Sequence, residues 1–104
     1  MDMAFASPDE NYSKAEELIR KAVESEKPDV VVLPETWNLG FFPHENLYSL
    51  ADREGERTKS LLSPLSRELD VNIVGGSVVR TDGDKVRNTS YVFSRTGALL
   101  ATYD

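Results

Sequence analysis

No cysteine occurs among the 104 residues. That excludes disulfides, thiolate zinc sites and any cysteine nucleophile within the chain itself. Histidine is almost as scarce. His44 stands alone in an aromatic stretch, with no second histidine to complete a metal site or a triad, and reads as a surface loop residue. There is no block of lysines and arginines, and twelve basic residues face eighteen acidic ones for a net charge of -6. This balance argues against nucleic acid and against an anionic membrane surface as partners. The apolar runs are far too short to span a bilayer. Asp2 and Asp9 stand where a signal peptide would carry bases, so the expected location is cytosolic.

What is present has globular character. Apolar residues make up 39% and charged residues 29%, too rich in core formers for a disordered chain. The length fits one domain or less. Residues 2–6 (DMAFA) read as the tail of a strand. Ser7, Pro8 and Glu10 form a helix start, with Ser7 as N-cap, Pro8 at the first helical position and Glu10 closing a capping box. Tyr12, Ala15, Leu18, Ile19, Ala22 and Val23 follow at helical spacing, with Glu16 and Arg20 at i, i+4 on the other side. Pro28 ends the helix near residues 25–27.

Residues 29–33 form an apolar strand whose unbroken run predicts burial on both faces or a central parallel position. A long aromatic connection over 36–55 follows, and long loops in compact domains are often functional. Leu61, Leu62, Leu65 and Leu69 mark one face of a helix over 56–70, in which Pro64 signals either a kink or a fresh start. The period then changes to two. Residues 71–79, 86–94 and 98–103 read as strands, joined by a hairpin on Asp82-Gly83 and a turn at 95–97. The expected architecture is α/β, layered, with a mixed sheet: a parallel pair linked by a crossover helix, then an antiparallel meander.

Glu35 is the first candidate for chemistry. It follows the apolar strand, and ligands of open α/β sheets bind at the carboxyl ends of strands. Desolvation there would raise a carboxyl toward general-base range. The other reading is an ordinary acid, solvated or paired with an arginine, and position alone does not separate the two. Trp37, Asn38, Phe41 and Phe42 are either a pocket wall beside Glu35 or a loop folded onto its own apolar residues. Gly75-Gly76 lacks the spacing and the Lys-Ser/Thr pair of a phosphate loop, and marks a bulge or a close backbone approach. Asn88 and Thr89 read as half-buried strand polar groups. Asp52, Glu54 and Glu56 are either solvated or cap the next helix.

Four stretches then combine: DENYSKAEELIRKA (9–22), PDVVVLPETWNLGFF (28–42), VNIVGGSVV (71–79) and VRNTSYVFSRTGALLATYD (86–104). In this order they resemble the nitrilase, or carbon-nitrogen hydrolase, superfamily over essentially the whole chain. The resemblance implies an αββα sandwich with helices on one face of each sheet. Residues 1–104 would be its N-terminal part, a partial domain. It also implies a Glu-Lys-Cys triad. Glu35, in "LPE", would be general base for a thiol that attacks an amide or nitrile carbon. The lysine, which would steady the oxyanion, follows the family's "YD". Here Tyr103-Asp104 close the sequence, and Lys59 and Lys85 do not occupy that position.

The resemblance further implies a small-molecule amide substrate, no cofactor and a homo-oligomer in full-length form. "MDMAFASPDENYSKAE" and "LPETWNLGF" look like the omega-amidase-like branch, which acts on the side-chain amide of 2-oxo-dicarboxylate monoamides. On this reading Glu35 is catalytic, Trp37, Asn38 and Phe41 edge the pocket, and the 104 residues alone are inactive. Two other readings stand beside it. One is a non-catalytic α/β module that binds a partner through an exposed sheet face. The other makes Glu35 a glycosidase carboxylate, with Glu45, Asp52 or Glu54 as its partner across a sugar.

Overall fold

Helix α1, Pro8–Glu26, begins with proline at its start, where a missing N–H costs nothing. The computed structural model describes residues 7–40 and 47–104, so the strand expected at 2–6, Phe41, Phe42, His44 and Glu45 lie outside the described residues. The capping box is not formed. Ser7 is the N-cap, but at ψ 75° it leaves the extended conformation from which a serine reaches the second or third amide, and its hydroxyl caps nothing. Lys27 turns left-handed, donates its N–H to Val23 O at 3.0 Å and ends the helix one residue before Pro28. Tyr12, Ala15 and Ile19 form the buried face. Arg20 pairs with Glu16 at 3.0 Å on the solvent side and also reaches Glu68.

Strand β1, Val30–Val32, is followed by a short helix α2, Leu47–Leu50, a 3-10 turn at Arg53–Gly55 and helix α3, Glu56–Leu69. Pro64 neither breaks nor restarts α3, which runs through it as one helix. The span 71–79 is two strands rather than one: β2, Asn72–Val74, and β3, Val78–Asp82, parted at Gly75–Ser77. Strands β4, Lys85–Phe93, and β5, Leu99–Tyr103, complete the sheet. β1 pairs parallel with β2 across the α3 connection. β2 and β3 both pair antiparallel with β4. Val92 of β4 faces Val74 on one side and Ala101 of β5 on the other. Asp82 opposes Lys85, so the hairpin turns on Gly83-Asp84, one residue beyond the expected pair.

The mixed sheet carries α1 and α3 on one face. The core lies between them: Tyr12, Ile19, Leu62 and Leu65 from the helices meet Ile73, Val78, Tyr91 and Phe93 from the sheet. This layering corrects the expectation for β1. With helices on one side only, its side chains alternate: Val31 packs against the core and Leu33 is buried, while Val30 is 47% and Val32 68% exposed. Val32, Val74, Val92 and Ala101 line up across four strands on the outer face. No described helix is long and apolar enough to cross a membrane.

Candidate active site

Strand directions decide which residues share an edge of the sheet. β1 is parallel to β2, β2 antiparallel to β4, and β4 antiparallel to β5, so β1, β2 and β5 run the same way. Their carboxyl ends therefore lie along one edge, carrying Glu35 after β1, Gly75-Gly76-Ser77 after β2 and Asp104 after β5. Glu35 is exposed, so the desolvation expected of it is absent among the described residues. Asp104 is held in place. Its Oδ1 accepts from Thr89 Oγ1 at 2.6 Å and from Arg80 at 2.8 Å, and these contacts draw its carboxyl below the ordinary carboxylate value. Thr89, expected half-buried, is fully buried beneath this pair.

The turn that bears Glu35 is locked to the break between β2 and β3. Leu33 N–H donates to Val74 O at 2.9 Å, continuing the parallel ladder. Ser77 N–H then donates to Pro34 O at 3.1 Å, and Ser77 Oγ accepts from Thr36 N–H at 2.9 Å. Trp37 N–H donates to Ser77 O at 3.2 Å, and the indole N–H donates to Gly75 O at 2.8 Å. Of the two readings open for the glycines, a bulge or a close backbone approach, the structure has the close approach. Gly76 has φ 60°, and a Cβ there would sit 2.0 Å from Pro34 O. Thr36 adopts φ 44°, a left-handed conformation unusual for a β-branched residue.

Trp37 and Asn38 are both fully enclosed. The indole meets the Tyr12 ring edge-on, with centroids 4.9 Å apart. Asn38 pairs with β3 as a strand would: Nδ2 donates to Val79 O at 2.9 Å, and Oδ1 accepts from Val79 N–H at 3.0 Å. Its own carbonyl accepts from Asn11 Nδ2 at 3.0 Å. In the described residues these side chains pack behind the Glu35 turn, the arrangement expected of a loop folded onto its own apolar residues. Phe41 lies outside the described residues.

Beneath this layer sits a buried polar cluster. Asp52 Oδ2 accepts from Thr58 N–H at 2.7 Å, Thr58 Oγ1 at 2.5 Å and Tyr12 OH at 3.1 Å. Oδ1 accepts from Arg57 N–H at 3.0 Å. Of the carboxylates considered as a glycosidase partner, Asp52 thus caps α3, and Glu54 accepts the Gly83 N–H at 3.0 Å. Burial, then the Asp52 charge, push the Tyr12 phenol well above its ordinary 10.0. A raised folded value means that the neutral phenol stabilises the fold at lower pH, and that this contribution fades as pH climbs past about 10. Urea midpoints between roughly pH 8 and 11 should fall for the wild type. Tyr12→Phe should flatten that fall, leaving the part due to Tyr91, whose phenol burial also raises.

The family model described as carbon-nitrogen hydrolase matches residues 1–104. The chain belongs to the carbon-nitrogen hydrolase family. Among curated relatives, the 2-oxoglutaramate amidase of Bacillus subtilis (strain 168) is 38% identical over 102 residues, covering 98% of this chain and 38% of the relative. The chloroplastic omega-amidase of Arabidopsis thaliana is 33% identical over 97 residues, covering 89% of this chain and 26% of the relative. The chain therefore spans well under half the length of these relatives. The structure of Saccharomyces cerevisiae Nit3, a member of branch 10 of the nitrilase superfamily, superposes with a TM-score of 0.82 at 27% identity, over 98% of this chain and 41% of that one. A carbon-nitrogen hydrolase from Helicobacter pylori G27 gives 0.82 at 21% identity over 98% of this chain and 36% of that one, which supports the fold alone.

Within this carbon-nitrogen hydrolase chain, sequence reasoning passed over Ser77 and Tyr12. Ser77 had a signal: two glycines that bring backbones together make the next side chain a contact residue. Tyr12 read only as one apolar position of a helix, and nothing local marks its hydroxyl as bound to residues 40 and 46 positions away.

Proposed function

We propose that this chain is the N-terminal part of an amidohydrolase, with Glu35 as general base. The supporting observation is that Glu35 and the end of β5, after which the family's lysine would follow, lie on one edge of one sheet. The cysteine would come from residues outside these 104, which contain none. Glu35 takes the thiol proton, and the thiolate attacks the amide carbon, forming a C–S bond. Ammonia leaves with a returned proton, and water then hydrolyses the thioester. Similarity to a 2-oxoglutaramate amidase and an omega-amidase makes the omega-amides of 2-oxo acids the substrates of this reading. A cytosolic, homo-oligomeric parent enzyme belongs to it as well.

The test uses the parent enzyme and the 104-residue chain side by side in an ammonia-release assay on 2-oxo acid amides. Glu35→Gln in the parent is expected to lower kcat by about 10²–10⁴-fold, and the 104 residues alone should show no turnover. A Glu35→Gln enzyme with near wild-type kcat would sink the assignment of the base. Turnover by the short chain would sink the assignment of nucleophile and oxyanion lysine to residues outside it.

A further inference from the structure

We infer that Ser77 is the positioning residue for Glu35. The inference rests on the reading of Glu35 as general base and adds how that base is aimed. Ser77 is 9% exposed, and each of its polar groups is engaged by the Glu35 turn. Its N–H bonds the residue before Glu35, its hydroxyl bonds the residue after, and its carbonyl bonds the residue after that. A backbone tied at both neighbours leaves Glu35 little freedom beyond its own side-chain torsions.

Of these bonds, the one from Thr36 N–H to Ser77 Oγ is the only one made by a side chain, at 2.9 Å. It also falls on the strained residue. Thr36 holds φ 44°, which persists only where surroundings over-determine it. Without the Ser77 acceptor, Thr36 loses the bond that holds its amide and is free to relax toward the usual right-handed or extended regions. That relaxation rotates the peptide joining it to Glu35 and moves the carboxylate. The helices and the sheet are anchored elsewhere, by the core and by the β2–β4 and β3–β4 ladders. Ser77 therefore acts on the aim of the base and not on the fold at large. A general base must lie within hydrogen-bond reach of its proton, and a displacement of about 1 Å is enough to lower rates roughly 10²-fold.

The test compares Ser77→Ala, Ser77→Thr and Glu35→Gln in the parent enzyme. Emission from Trp37, the only tryptophan of these residues and a direct neighbour of the turn, reports the local fold; where the parent carries others, they are first replaced by phenylalanine. Ser77→Ala is expected to keep native emission, lower kcat by roughly 10–100-fold and leave KM within about twofold. Ser77→Thr, which keeps the acceptor oxygen, should recover most of the loss. Wild-type kcat in Ser77→Ala, or equal losses in the alanine and threonine variants, would overturn the inference while leaving the base assignment intact. Loss of native emission in Ser77→Ala would also overturn it, since Ser77 would then belong to the fold. If Glu35→Gln is itself without effect, the base assignment fails and the inference with it.

Discussion

A single methyl group at position 76 is expected to destabilise the protein by roughly 2–5 kcal/mol, combining overpacking of about 1–3 with a left-handed backbone term of about 1–2. The Cβ of Gly76→Ala would lie 2.0 Å from Pro34 O and 2.4 Å from Leu33 O. Both atoms are backbone, so neither can rotate aside as a flexible side chain would. Relief requires the Leu33–Pro34 segment to move away from Ser77, which stretches the bond from Ser77 N–H to Pro34 O. Gly83 supplies the control. It too has positive φ, at 65°, but nothing lies within 4 Å of its would-be Cβ. Gly83→Ala should therefore cost only the backbone part, about 1–2 kcal/mol. Urea unfolding, compared at unchanged m, measures both. Equal losses at the two positions would show that the contact with Pro34 O is not what demands glycine at 76.

The same contact shows what was legible in the sequence and what was not. Two glycines within an expected strand predict a bulge or a close approach, and an apolar strand ending in Leu-Pro-Glu predicts a carboxylate at a sheet edge. Nothing in either stretch says that they approach each other, because about 40 residues separate them and register is a property of the assembled sheet. Helices α1 and α3 and the meander are readable because their signals are local: spacing of apolar residues, Pro28 after α1, Gly97 in the last turn; the short α2 falls in the span read as a connection. β1 was misjudged for a related reason. Val30, Val31 and Val32 look alike in sequence, and only the placement of both helices on one face makes Val31 interior and its neighbours exterior. For Trp37 and Asn38 the sequence leaves both a pocket wall and a self-packed loop open, because aromatic and amide side chains serve ligands and cores equally well. In the structure their partners are Tyr12, Gly75 and Val79, contacts that only the assembled fold supplies. The capping box failed because its pattern specifies residue types and cannot specify ψ at Ser7.

Asp52→Ala is expected to cost roughly 2–4 kcal/mol, a large part of the stability of about 5–15 kcal/mol usual for a domain. The carboxylate does two jobs at once. It stands in for an N-cap at α3, where Gly55 has no side chain, by accepting from the Arg57 and Thr58 amides. Negative charge there also matches the positive end of the helix. Its second job is to satisfy the Tyr12 and Thr58 hydroxyls in a buried layer. With the Thr58 proton on Asp52, the single Tyr12 proton is shared between Asp52 Oδ2 at 3.1 Å and Thr58 Oγ1 at 2.7 Å. In the alanine variant these hydroxyls still have each other, so the loss concentrates on the two amides at the start of α3. Asp52→Asn separates the contributions. Its carbonyl oxygen can still accept from one amide, while its NH2 group faces donors where an acceptor was needed, so about half of the alanine loss should remain. Arg57 stacks over the Tyr12 ring at 4.4 Å, and that ring supports Trp37 behind the Glu35 turn. The alanine variant should therefore also red-shift Trp37 emission before global unfolding. If urea midpoints for Asp52→Ala stay within about 0.5 kcal/mol of wild type, the buried carboxylate is neither an effective cap nor a needed acceptor.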